Sequence, residues 1–164
     1  MKTLLIIRHA KSGWDDPSLS DFERVLTERV KSDAAMMAKR IKKKSIKIDA
    51  FISSPAVRAK RTAEIFMKEY KEGRKKLLLI PALYEASVHV FYEVMETLDN
   101  HLESVALFSH NPGVAEFVNS LECSPVDNMP TCAVFALKIK TRLWKDLRIA
   151  EKEFLFFDYP KSSQ

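Results

Sequence analysis

Glycine is scarce in this chain: Gly13, Gly73 and Gly113 are the only three in 164 residues, and no two stand closer than forty positions. Neither a P-loop nor a dinucleotide fingerprint can be built from glycines so widely spaced. Any phosphate bound here must be held by side chains and helix N-termini. Cysteine is scarcer still. Cys123 and Cys132 match no zinc-ligand spacing and have no neighbouring histidines. They read as reduced thiols of a cytosolic protein, the alternative being a disulfide that a reducing compartment would break. Long apolar runs are missing as well. The opening MKTLLIIRHAK imitates a signal peptide, but its apolar stretch at 4–7 is shorter than the roughly 7 to 15 residues a signal needs. No run approaches the ~18 apolar residues that cross a bilayer. The expectation is a soluble, cytoplasmic, monomeric protein with no membrane partner.

What is present fits one globular domain spanning residues 1–164, with 46% hydrophobic and 30% charged residues. The 27 basic residues exceed the 22 acidic ones by five. This excess is local: residues 39–47 carry +6 and residues 71–76 carry +3, which leaves the rest of the chain at −4. Both runs fall at the ends of helical patterns, where cations are favoured by the helix dipole. They are therefore either solvated helix ends or a positive rim that attracts an acidic protein or a polyanion.

Short apolar runs at 4–7, 50–52, 77–80, 105–108, 133–137 and 154–157 alternate with segments of helical period. This alternation predicts an α/β fold with a mostly parallel sheet of about six strands. Val30, Ala34, Met37, Ala38 and Ile41 lie on one face of a helix that Thr27 could cap. Ala59, Ala63, Phe66 and Tyr70 mark a second helix, and Val114, Phe117, Val118 and Leu121 mark another. Ser54-Pro55 and Asn111-Pro112 each read as an N-cap followed by proline at the first helical position. Val88, Phe91, Tyr92 and Met95 predict a helix that begins after Ser87 and ends near Asn100.

In an open parallel sheet the ligand sits beyond the carboxyl ends of the strands. The residues following each apolar run there are Arg8 and His9; Ser53, Ser54 and then Arg58; Glu85; and Ser109, His110 and Asn111. Two arginines, two histidines and a carboxylate at one edge suit a phosphoryl group, because guanidinium forks bind its oxygens and an imidazole can attack phosphorus. Two histidines with Glu85 could also hold a metal, but the arginines beside them would repel a cation, so no metal and no cofactor are expected. His89 and His101 fall within or just after a helix and read as surface residues.

LLIIRHAKSGWDD at 4–16, LTERVKSDA at 26–34, SSPAVRAKRTAEIF at 53–66, PALYEAS at 81–87 and LFSHNPGV at 107–114 run in order along most of the chain. Together they resemble the histidine phosphatase superfamily, and within it the short SixA-type branch of phosphohistidine phosphatases. The resemblance implies a three-layer, phosphoglycerate mutase-like α/β/α sandwich. It also implies His9 as the nucleophile that is transiently phosphorylated, Arg8 and Arg58 on the phosphate, and His110 as the second histidine, protonated as a further cation. Glu85 stands near where many members place an acid, which would protonate the leaving group. Ala10, Val25 and Val30 depart from the family's common glycine, proline and glycine.

The loop 11–27 carries Lys11, Ser12, Trp14, Asp15, Asp16 and Arg24 and is expected to border the site. Ser12, Trp14 and Asn111 are candidate substrate contacts beside Arg8, Arg58 and His110; Trp14 could equally pack in the core. The leading expectation is a metal-independent phosphatase acting on phosphohistidine in a protein, such as an HPt-type phosphotransfer domain. One alternative uses the same pocket on a small phosphomonoester, a sugar phosphate or nucleotide. Another is a non-catalytic module binding an anion or nucleic acid, against which stands the absence of stacking aromatics within the basic runs.

Overall fold

The computed structural model describes residues 1–162; residues 163 and 164 of the expected domain lie outside the described residues. Six strands form one sheet: β1 (Lys2–Arg8), β2 (Ala50–Ser53), β3 (Leu77–Leu79), β4 (Ser104–Ser109), β5 (Val134–Ile139) and β6 (Lys152–Asp158), in the order β3-β2-β4-β1-β5-β6. The first four are parallel, and β5 runs antiparallel to both of its neighbours. The six apolar runs thus become the six strands of a mostly parallel sheet.

Among the described residues, four α-helices complete three layers: α1 (Glu28–Lys43), α2 (Val57–Glu69), α3 (Val88–Glu96) and α4 (Gly113–Ser120). Side chains alternate along β1. Leu5 and Ile7 join a core with Met37 and Ile41 of α1 and Phe66 of α2, while Leu4 and Ile6 join Phe91 and Met95 of α3 and Phe117 of α4. Helices cover both faces, so β1 reads as an unbroken apolar run rather than an alternating one. The buried face of α1 is Val30, Ala34, Met37, Ala38 and Ile41, as its spacing predicts. Among the described residues, no helix is long and apolar enough to cross a membrane.

Helix boundaries differ from the expected ones for identifiable reasons. Thr27 occupies the N-cap position of α1, but its side chain makes no cap hydrogen bond. The second helix opens at Val57 with Ala56 as its N-cap, not at Ser54-Pro55, and α4 opens at Gly113 with Pro112 as its N-cap, not Asn111. Ser54 and Asn111 both have tertiary partners: Ser54 Oγ meets His110 Nε2 at 2.8 Å and Asn111 Nδ2 donates to the Met129 carbonyl at 3.0 Å. Ser87 does cap α3. That helix stops at Glu96 rather than near Asn100, whose carbonyl accepts from Lys2 Nζ and whose side chain accepts from the Trp144 amide.

Because α1 and α2 run back from the carboxyl edge of the parallel strands, the basic runs follow at their far ends, and Lys44 and Lys47 lie beside Thr3 and Ser104 at the amino edge. Part of that charge is structural. Arg40 pairs with the buried Asp158 at 3.0 Å and donates to the carbonyls of Tyr159 and Pro160.

Candidate active site

The ends of β1, β2 and β4 and the segment after β3 converge on one open cavity of about 870 Å3. All eight predicted site residues line it: Arg8, His9, Ser12, Trp14, Arg58, Glu85, His110 and Asn111. Arg8 and His9 come from the end of β1, His110 and Asn111 from the end of β4. Arg58 lies in the first turn of α2. Glu85 adopts a left-handed backbone (φ 55°) after the short turn Pro81–Leu83 and stands exposed at the mouth. Ser12 is buried and bridges to Leu26, which closes the base of the loop 11–27. Trp14 is 70% exposed, so it is not a core residue; its ring lies 3.7 Å from the Arg24 guanidinium.

His9 and Arg58 are 6% and 5% exposed. Nδ1 of His9 donates to the carbonyl of Ala10 at 2.6 Å, and the Ala10 amide is in turn held by Thr62 Oγ1 at 3.0 Å. With its proton on Nδ1, the ring leaves Nε2 unprotonated, and Arg58 Nε donates to that nitrogen at 3.3 Å. Burial drives the His9 pKa down to about 3; the bond to Ala10 opposes this, while His110, Arg58 and Arg8 add to it. The imidazole is therefore neutral and nucleophilic at Nε2.

The His110 ring lies 5.1 Å from that of His9, tilted by 53°. Its Nε2 engages Ser54 Oγ, and its Nδ1 is buried without a partner. Burial, then Arg58, lowers its pKa to about 4, with Asp21 pulling the other way. Without a counter-charge His110 is thus held neutral. Desolvation and the charges of Arg58, Arg24 and Arg8 disfavour a further positive charge there. Arg8 Nη1 donates to the Met129 carbonyl at 3.0 Å, the acceptor it shares with Asn111. His89 and His101 are exposed, as expected.

Three participants were not legible in the sequence. Thr62 fixes the Ala10 amide and, through its hydroxyl, the Arg58 carbonyl at 2.7 Å. Asp21 pairs with Arg58 at 3.0 Å and with Arg24 at 3.0 Å, and it accepts from Tyr84 Oη at 2.6 Å. Its pKa falls to about 2, first through the tyrosine bond, despite an opposing desolvation penalty, with Arg58 and Arg24 adding to the fall. The Tyr84 phenol rises correspondingly to about 12. Asp21 lies in a loop with no periodicity and several other acids, so no pattern marks it. Among the described residues, no three His, Cys, Asp or Glu side chains cluster as metal ligands would, and both cysteines are free thiols.

A family model, the histidine phosphatase superfamily (branch 1), matches residues 4–122. The chain belongs to this superfamily. Membership makes it a phosphatase of the histidine type, with Arg8, His9, Arg58 and His110 all inside the matched span. An uncharacterised chloroplastic protein of Arabidopsis thaliana is 24% identical over 154 residues, covering 88% of this chain and 70% of its own length. The fold is shared with the protein histidine phosphatase SixA solved with tungstate: TM-score 0.81 and 23% identity, over 96% of this chain and 97% of that one. It is also shared with a SixA structure from Agrobacterium tumefaciens, with TM-score 0.80 and 20% identity over 97% and 98% of the two chains.

Proposed function

We propose that this superfamily member hydrolyses phosphohistidine carried by a protein, such as an HPt-type phosphotransfer domain, through a covalent phospho-His9 intermediate. The observation that carries the reading is the His9 ring itself. It is buried and neutral, its Nδ1–H is tied to Ala10, and its Nε2 lone pair points to where Arg58 and His110 meet.

In the first step Nε2 forms a bond to phosphorus while the bond from phosphorus to the substrate's imidazole nitrogen breaks. The leaving nitrogen takes a proton, for which Glu85 at the cavity mouth is the donor. Arg8 and Arg58 neutralise charge on the equatorial phosphoryl oxygens. The phosphate dianion favours the protonated form of His110, reversing its depressed pKa. In the second step water attacks phosphorus and gives a proton back to the Glu85 carboxylate, the P–Nε2 bond breaks, and inorganic phosphate leaves. No metal enters either step. The cavity is open and its rim carries the exposed Trp14 and Lys11, which supports a bulky phosphoprotein as the substrate.

Phosphate release from a phosphohistidine-bearing HPt domain and from an aryl phosphate, each with wild type and His9→Ala, tests the reading. The expected result is faster turnover of the phosphohistidine, abolished by His9→Ala. Equal or faster turnover of the aryl ester, still dependent on His9, would overturn the substrate and point to small phosphomonoesters. Turnover that survives His9→Ala would overturn the mechanism.

A further inference from the structure

Arg58 has to hold a guanidinium in a buried place beside another guanidinium. Burial, and then the charge of Arg58, lower the pKa of Arg8, which lines the cavity with Arg58 and Arg24. Before substrate arrives there is no phosphate to offset these charges. A free arginine side chain has many rotamers, and like charges would drive this one outward.

What opposes that is Asp21. Its backbone carbonyl accepts from Arg58 Nη1 at 2.5 Å and its carboxylate Oδ2 accepts from Nη2 at 3.0 Å, which leaves Nε directed at His9 Nε2. The guanidinium is thereby clamped along its far edge while its near edge faces the nucleophile. Tyr84 Oη donates to the same Oδ2, and Arg24 donates to Oδ1 through Nε at 3.1 Å. With donors on both oxygens, the carboxylate's repulsion of an incoming phosphate is largely offset. The contacts join three separate segments: the loop 11–27, α2, and the turn before α3.

We infer that Asp21 is a positioning residue that acts through Arg58, holding its guanidinium in register with His9 for the transferred phosphoryl group. This rests on the catalytic reading above, in which Arg58 contacts that group. Asp21 itself touches neither the nucleophile nor, in this role, the phosphate.

The decisive experiment is a double-mutant cycle. Asp21→Asn and Asp21→Glu are each made in wild type and in Arg58→Ala. The readouts are kcat/KM on an aryl phosphate, tungstate affinity by calorimetry, and the thermal midpoint. In the wild-type background Asp21→Asn is expected to lower kcat/KM by about 10- to 100-fold and to weaken tungstate binding. Asp21→Glu, which keeps the charge on a longer arm, is expected to lose less. Both losses should vanish, to within about twofold, once Arg58 is alanine. A purely structural role cannot produce that result. Equal losses with and without Arg58, or a lowered midpoint with unchanged kcat/KM, would overturn the inference. Should either variant fail to fold, the other decides through the same cycle. Tungstate binding needs no turnover, so an enzyme inert on every phosphate substrate would bring down the catalytic reading and still leave Asp21 tested.

Discussion

What surrounds the two nitrogens of His9 suits the ring to the proposed nucleophilic role. The Ala10 carbonyl accepts a hydrogen bond from Nδ1–H, and burial keeps the ring from taking a second proton. Arg58 then has two partners of opposite character: a neutral ring nitrogen on one side and the Asp21 carboxylate on the other. Arg58→Ala is expected to slow turnover by about 10²- to 10³-fold, the usual cost of removing one donor aimed at transition-state charge. Its fold should survive, because the Asp21 side chain is 41% exposed and water can replace the lost ion pair. Steady-state kinetics together with the far-ultraviolet circular dichroism spectrum check both halves. A variant as active as wild type would remove Arg58 from the site.

At the scale of elements, the site depends on how closely α4 approaches the segment that precedes α3. Gly113 opens α4, and a Cβ placed there would run into the Ala86 carbonyl and touch the Phe91 ring at 3.0 Å. Gly113→Ala must push that segment, with Glu85 next to Ala86, away from His110. A loss of about 1–3 kcal/mol in stability, typical of overpacking, is expected together with reduced turnover; denaturant titration and kinetics of the same variant measure the two. Where α1 meets the end of β6, Arg40→Ala takes the cation from the buried Asp158, one of whose oxygens is already unpartnered. Breaking a buried pair from one side costs about 3–5 kcal/mol, and denaturant titration should show it with little change in kcat. The same pair shows why the run at 39–47 is not a free cationic patch: part of it ties α1 to the end of β6.

For the molecule as a whole, the two active-site histidines should set an acid limit to stability. Folded, they titrate near 3 and 4; unfolded, near the ordinary ~6.5. Between those values the unfolded chain binds protons that the folded chain refuses, so stability falls as pH drops below about 6.5. Asp21, lowered to about 2, adds its loss only below the usual carboxylate range. Thermal midpoints measured from pH 7 to 4.5 should therefore decline, and His9→Ala and His110→Ala should each flatten the slope. An unchanged slope in both would mean that the rings are not held neutral by the fold. Apolar runs locate the six strands and apolar spacing locates the inner face of α1, because the burial of a central strand or of one helix face is a local property of spacing. Topology then placed Arg8, His9, Arg58, Glu85 and His110 at one edge, since groups following parallel strands must emerge together. The helices do not start at Ser54 and Asn111, whose side chains also hold His110 and the Met129 carbonyl, partners that no local window contains. The tautomer of His9, the neutrality of His110 and the hold of Asp21 on Arg58 are likewise set by contacts across the fold. Spacing along the chain determines which residues arrive at the site; only the packed structure decides their charge, their protons and the direction in which they point.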